Sequence, residues 1–325
     1  MQDISQNIFT AAAGRALGVS FGFLRERWSN GKVAMNGLLI FDKPSGLTSH
    51  DVVSLVRRAS GERSVGHLGT LDPMATGVLP LLLGKWTRLA QFFNAADKQY
   101  TGTIRFGFAT DTYDAEGQPA GESQPLRCSL DELRALGAHF HGTIDQVPPV
   151  FSAKKIGGIP AHKLARQGKE VAVKPARITI HHFALTELEG DTARFAMHVS
   201  SGGYVRSVAH ELGQLAGCGA HLSSLRRTQA GVFTLAHAVS REQLIEAANA
   251  GTVQQLMRHP RTVLPEMPAV TADEGSQTRL RNGMAVNLPE FSDAPLVRIF
   301  NGSKELLGIG KRVAGTLIQP HVNIA

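Results

Sequence analysis

The chain has 325 residues, 42% of them hydrophobic, enough to bury one large core or two modest ones. Lysine plus arginine number 34 against 27 acidic residues, a formal charge of +7 with a pI near 9.6, as suits a protein that meets a polyanion. Two cysteines far apart in sequence, Cys128 and Cys218, exclude a disulfide framework and a cysteine-rich zinc site and fit a reducing compartment; no apolar run reaches transmembrane length.

Residues 1–34 read as separate from the rest. Phe9–Ala13 is apolar, but Asp3 precedes it without a basic segment and Arg15 follows, so it is not an export signal. Gly18-Val19-Ser20-Phe21-Gly22 matches a nucleophile elbow by coincidence, since nothing before it reads as a strand. The segment is expected to be a poorly ordered extension or a start placed ahead of the true one, with Met35 standing just before the first patterned stretch. Leu38–Phe41 then predicts a short strand, and Asp42-Lys43-Pro44-Ser45-Gly46 a turn. Thr48 or Ser49 caps a helix whose Val52, Val53, Leu55 and Val56 share a face.

Gly66-His67-Leu68-Gly69-Thr70-Leu71-Asp72-Pro73 is a loop built to present one carboxylate. The glycines permit positive φ and close approach, while Pro73 fixes its own φ and holds Asp72 extended. His67 adds a flat polar ring at the same tip; taken alone, the octapeptide reads better as a surface loop with a helix-capping aspartate and a solvated histidine. Gly77–Gly84 is apolar but interrupted by Pro80, predicting a buried segment with a break or an edge position. Gly84-Lys85 is followed by Trp86 rather than Ser or Thr, which excludes a phosphate-binding loop. Tyr100, Gly102, Ile104, Phe106 and Phe108 alternate with polar residues, a half-buried strand with Tyr100 leading its apolar face.

Asp111–Gly117 lacks the carboxylate spacing of a calcium loop and reads as a turn. Ser129–Glu132 is a capping box opening a helix that Gly137 ends, and Pro148-Pro149 forbids a central strand. Lys154, Lys155, His162, Lys163 and Arg166 form the strongest basic cluster, over a loop and a helix ending near Gly168. Ile178–Leu188 and Ala193–Val199 read as a hairpin through Gly190-Asp191. Arg206 stands at a strand-to-helix junction, before a helix from Ser207 to Leu215 stopped by Gly217. Ser240–Gln243 caps another helix to about Ala250, and Pro260, Pro265 and Pro268 mark a linker. From residue 269 onwards, glycines punctuate short apolar strands such as Leu296–Phe300, predicting a small barrel-like β domain, and Gly308 and Gly310 complete no dinucleotide fingerprint.

Six stretches in order carry a family resemblance: Gly37–Ser49, Gly66–Pro80, Lys98-Gln99-Tyr100, Gln146–Lys155, Ser200–Ser207 and Gly217–Arg227. Together, over roughly residues 37–235, they make the chain resemble the TruB family of bacterial-type tRNA pseudouridine-55 synthases. Leu68 and Met74 vary apolar positions and Phe151 stands where tyrosine is common. The resemblance implies an α+β fold: a mixed α/β catalytic domain around an antiparallel sheet at 35–264, and a PUA-like RNA-binding domain at 265–325. It implies isomerisation of uridine in the T-loop of tRNA by base flipping, with Asp72 catalytic and no metal or cofactor.

By the same resemblance His67 fills the space the base vacates, Tyr100 stacks on the uracil, and Tyr204 and Leu225 wall the pocket. Arg206 pairs with Asp72 and is expected to lower its pKa; Lys43 reads from its turn as a solvated lysine or an RNA phosphate contact, and the resemblance gives it equally a role bracing the catalytic loop. The expected partner is the tRNA T-arm, met by a cytoplasmic monomer without guide RNA. An RNA-binding protein without catalysis would use the same basic and aromatic residues but has no need of Asp72, and a guide-RNA-dependent relative would fail on bare tRNA.

Overall fold

The computed structural model describes residues 35–152, 155–156, 159–161 and 174–324. Residues 1–34 and the side chains of the basic cluster at Lys154, Lys155, His162, Lys163 and Arg166 lie outside the described residues. Nine strands form the larger sheet: β1 (Gly37–Lys43), β2 (Val65–His67), β3 (Thr76–Leu83), β4 (Lys98–Phe106), β5 (Gly142–Gln146), β6 (Ala176–Glu189), β7 (Thr192–Val199), β8 (Ala220–Ala230) and β9 (Phe233–Thr234). Their hydrogen-bonded order is β1-β3-β8-β4-β7-β6-β5, with β2 on β3 and β9 on β8. Every pairing is antiparallel except one, the short parallel join of β3 to β8 at Thr76–Arg226 and Gly77–Arg227.

Strands β1 and β3 bury both faces, which is why they read as unbroken apolar runs. Leu39, Phe41, Leu79 and Leu81 enter the main core with the helices α1 (Ser49–Ser60), α2 (Leu130–Gly137), α3 (Val205–Leu215) and α4 (Arg241–Ala250). Leu38, Ile40, Val78 and Leu82 face a second core with Trp86, Leu89 and Phe233. Pro80 makes neither the break nor the edge expected of it. Its carbonyl accepts from the Leu68 N–H at 2.9 Å, so its missing N–H faces the gap where the neighbour of β3 changes from β8 to β2, and no ladder bond is lost.

Local signals set most helix ends. Thr48 and Asp51 form a reciprocal capping box on α1 and Gly61 closes it with φ +72°. Ser129 and Ser240 cap α2 and α4 in the same way. Helix α2 ends at Gly137 as expected, though without a left-handed cap: that residue keeps φ −62°, and the chain runs on into a single separate turn at Ala138–Phe140. Helix α3 starts two residues before its expected start, with Tyr204 as its N-cap, so Arg206 lies inside its first turn.

The second sheet contains β10 (Ala269–Thr271), β11 (Val286–Asn287), β12 (Leu296–Asn301), β13 (Glu305–Ala314) and β14 (Leu317–Asn323) in the order β10-β12-β13-β14-β11, accompanied by α5 (Glu274–Arg281). Val270, Leu280, Val297, Ile299, Leu307 and Ile318 form its own core. Phe300, Leu306, Ile309 and Val322 pack instead on the back of β1 and β3. The expected linker is therefore no solvated tether. Val263 and Leu264 are 0% and 2% exposed within that joint core, and Arg298 of β12 donates to the Arg261, Val263 and Met267 carbonyls at 2.8, 3.0 and 2.8 Å. No described helix is long and apolar enough to cross a membrane.

Candidate active site

The loop from Leu68 to Ala75 joins β2 to β3, and side chains from three distant segments hold its backbone. The Ser49 hydroxyl donates to the Leu71 carbonyl at 3.1 Å and accepts from the Leu71 N–H at 2.8 Å. Arg227, 1% exposed, donates to the carbonyls of Val78 at 2.7 Å, Gly69 at 3.1 Å and Thr70 at 3.3 Å. Lys43 donates to those of Pro44 at 3.0 Å, Leu47 at 2.6 Å and Pro73 at 3.0 Å, and Gly46 N–H also reaches Pro73 at 2.9 Å. Loops rarely have their polar backbone fastened so completely from inside the protein.

Lys43 is fully buried and its ammonium protons go to carbonyls, so the phosphate contact considered from the sequence is not available to it; the bracing position is the one it occupies. Burial lowers its pKa to about 8.

Arg206 approaches the loop from α3 and is 5% exposed. Its Nη2 donates to Asp72 Oδ1 at 3.2 Å, and Nε lies 2.9 Å from Oδ2 as a close ion contact without hydrogen-bond alignment. The other side of the fork lies 3.3 Å from Asp114 Oδ2 and donates to Thr112 O at 3.0 Å, while Nη2 also reaches Phe151 O at 3.0 Å. The Asp72 side chain keeps a third of its surface open, against 6% for its arginine partner. Asp72 caps no helix, which removes the surface-loop reading.

Burial raises the Asp72 pKa; Arg206 opposes the shift, and the nearby Asp114 adds to it. The net direction is opposite to the sequence expectation, because desolvation outweighs the arginine. A carboxylate in such a setting, once ionised, is a stronger base and nucleophile than a solvated aspartate, and the arginine fixes its direction. From the sequence, Asp114 belongs only to a turn. It is 3% exposed and accepts from Thr112 Oγ1 at 2.6 Å and the Glu116 N–H at 3.1 Å. Burial also raises the Glu116 pKa, with Asp114 and Asp72 adding and a hydrogen bond from the Met74 backbone opposing. The only sequence signal for this network was the crowding of acids at 111–116, whose arginine partner is far away in the chain.

The remaining expected site residues lie on β2, β4, β8 and at the start of α3. His67 lies on β2 opposite Leu81, half-buried, with its pKa pushed down by burial and by Arg227 and His50, which favours the uncharged ring. Tyr100, 9% exposed, and Leu225, 7% exposed, share the core that holds Leu71 and Ala75 on either side of Asp72. Tyr100 is paired in the sheet with Arg227, which grips the loop. Tyr204 is half-buried, and Gln146 clamps its backbone, accepting from its N–H at 2.7 Å and donating to its carbonyl at 3.0 Å.

A family model described as TruB family pseudouridylate synthase (N terminal domain) matches residues 57–205, and one described as tRNA pseudouridylate synthase B C-terminal domain matches 206–266. The tRNA pseudouridine synthase B of Solibacter usitatus (strain Ellin6076) is 40% identical over 291 residues, spanning 89% of this chain and 99% of that one. The chain belongs to the TruB family. It is therefore a pseudouridine synthase, an isomerase. A second TruB relative, the tRNA pseudouridine synthase B of Aquifex aeolicus (strain VF5), is 39% identical and covers 87% of this chain and 98% of its own. A Cbf5-Nop10-Gar1 complex crystal structure superposes with TM-score 0.64 at 25% identity, over 88% of this chain and 84% of that chain. The two TruB matches meet between Val205 and Arg206, inside the first turn of α3, so the Asp72–Arg206 pair joins both.

Proposed function

We propose that this enzyme converts uridine to pseudouridine in the T-loop of tRNA, at position 55, with Asp72 as the group that acts on the reacting nucleotide. The observation that carries this reading is the Asp72–Arg206 pair, set on a loop whose carbonyls are fastened by Ser49, Lys43 and Arg227. The relatives are named for a tRNA substrate, and the charge of +7 suits one. The uracil is flipped out of the folded loop at a cost of a few kcal/mol, and the neutral ring of His67 fills the space it leaves. Tyr100 stacks on the flipped base, and Tyr204 and Leu225 wall the pocket. Asp72 promotes cleavage of the bond between the base nitrogen and the sugar. The base then turns and bonds through carbon 5, which loses its proton as the released nitrogen gains one, a transfer the Tyr100 hydroxyl assists. The exchange is redox-neutral.

The same reading takes residues 35–264 as the catalytic unit and 265–325 as a PUA-like domain that meets RNA. It takes the protein as a cytoplasmic monomer working without guide RNA. The test is chemical mapping of pseudouridine in an unmodified tRNA transcript incubated with the purified protein alone, with Asp72→Asn alongside. One modified T-loop uridine with wild type, and a rate at least about a thousandfold lower with the variant, is the expected result. Tight binding without modification by wild type would overturn both the stand-alone activity and the role of Asp72.

A further inference from the structure

The reaction leaves a second cluster of titratable groups unused. On the exposed face of the sheet, the imidazoles of His181 on β6 and His198 on β7 converge on Asp97, in the turn before β4. The Nε2 atoms lie 3.1 and 3.2 Å from the same oxygen, Asp97 Oδ2. The rings are 4.6 Å apart at 40°. We propose that Asp97, His181 and His198 bind a borderline divalent transition-metal ion, with zinc(II) the best fit.

A fault in the sheet creates the arrangement. Pairing of β6 with β7 steps from Ile180–Val199 to His182–His198, leaving His181 without a partner residue. Such a bulge breaks the in-and-out alternation, and His181 and His182 both face solvent. His182 is in register with His198 yet has its ring beside His141, 6.4 Å away and edge-on. It is the bulged histidine, aimed out of register, that meets His198 and Asp97. The carboxylate is itself held in place: the Asp97 carbonyl accepts from the Gly231 N–H at 2.8 Å, and Ser201 Oγ ties the turn by donating to Asn94 O at 2.6 Å.

The geometry and the donor set agree. In a tetrahedral site with bonds of about 2.0–2.1 Å, ligand atoms stand about 3.3 Å apart. The observed nitrogen-to-oxygen separations are close to that, and all three donor atoms lie within 4.8 Å of one another. Without an ion, both Nε2 atoms lie against the shared oxygen; a cation bound there takes the Nε2 lone pairs, and each neutral ring then carries its single proton on Nδ1, so the tautomer changes with no net proton release. Two imidazoles and one carboxylate leave a fourth position for water. Two nitrogen donors disfavour calcium and magnesium, which take oxygen ligands, and suit zinc, cobalt, nickel or copper. The bound ion would staple the turn at 94–97 to β6 and β7 and so raise the stability of the folded state.

The experiment is zinc(II) titration by calorimetry of full-length, untagged protein first stripped with chelator. The expected result is one ion per chain, bound more tightly than about 0.1 mM. Asp97→Ala, His181→Ala and His198→Ala should each weaken binding at least about tenfold, while His182→Ala, the exposed neighbour, changes it less than about twofold. Weaker binding by wild type, or affinity indifferent to His181 and His198, would overturn the proposal and leave a hydrogen-bonded histidine pair. Should a variant fail to fold, cobalt(II) on wild type decides: the strong visible absorption of a four-coordinate site supports the proposal, and its absence refutes it.

Discussion

Arg206 divides its donors between two carboxylates and two carbonyl oxygens, and the chemistry of Asp72 depends on that division. With Asp72 active as the carboxylate, turnover falls as pH drops through its folded-state pKa, which burial places above the usual 3.8. Arg206 is the largest influence lowering that pKa. Arg206→Gln should therefore move the acid limb of kcat/KM to higher pH and reduce its plateau; a limb that stayed in place would show that Asp72 does not set it. The same shift has a stability consequence. Between the ordinary and the raised pKa the native state binds more protons than the unfolded one, so this group's contribution falls as pH rises through that window. At neutral pH the buried charge is then a cost, and Asp72→Asn removes it while Arg206 keeps Asp114, Thr112 and Phe151. The Asp72→Asn variant should melt no lower than wild type, as thermal unfolding at pH 7 would read.

At the scale of elements, the Asp72 loop is placed by the parallel join of β3 to β8. Gly77 sits at that join with φ +103°, and a Cβ there would fall 2.2 Å from the Arg227 carbonyl oxygen. Gly77→Ala must therefore push β8 away, together with the Arg227 side chain that holds Gly69, Thr70 and Val78. Urea unfolding should show a loss of roughly 3 kcal/mol or more. Residual folded enzyme should lose kcat out of proportion, because the loop is released as well. In the sequence Gly77 is only the head of an apolar run; its need arises from the carbonyl opposite it, 150 residues later in sequence.

At the scale of the whole molecule, the two sheets are not beads on a string. The back of β1 and β3 is covered by β12, β13 and β14 through Phe300, Leu306, Ile309 and Val322, with Val263 and Leu264 wedged between. Truncation after Leu264 would expose Leu38, Ile40, Val78, Leu82 and Trp86 as one apolar patch on the back of β1 and β3. The shortened chain should aggregate or melt well below the full-length protein. A soluble, fully active 35–264 fragment would show that the second sheet contributes only RNA contact.

Local chemistry was readable from sequence alone because it acts over a few residues. The capping boxes at Thr48, Ser129 and Ser240, the hairpin at Gly190-Asp191, the alternation of β4 and the carboxylate presented before Pro73 all belong to this class. Ordered motifs also sufficed to bring Asp72 and Arg206 into one site. Tertiary structure alone decided what depends on a distant neighbour. Pro80 is harmless because a neighbouring strand changes beside it, and Lys43 is buried because three carbonyls surround it. Asp114 enters the site because Arg206 has a second edge to fill, and the Asp72 pKa rises because desolvation exceeds the attraction of its partner. Hydrogen-bond partners and dielectric surroundings are properties of the packed chain, and spacing along the sequence does not carry them.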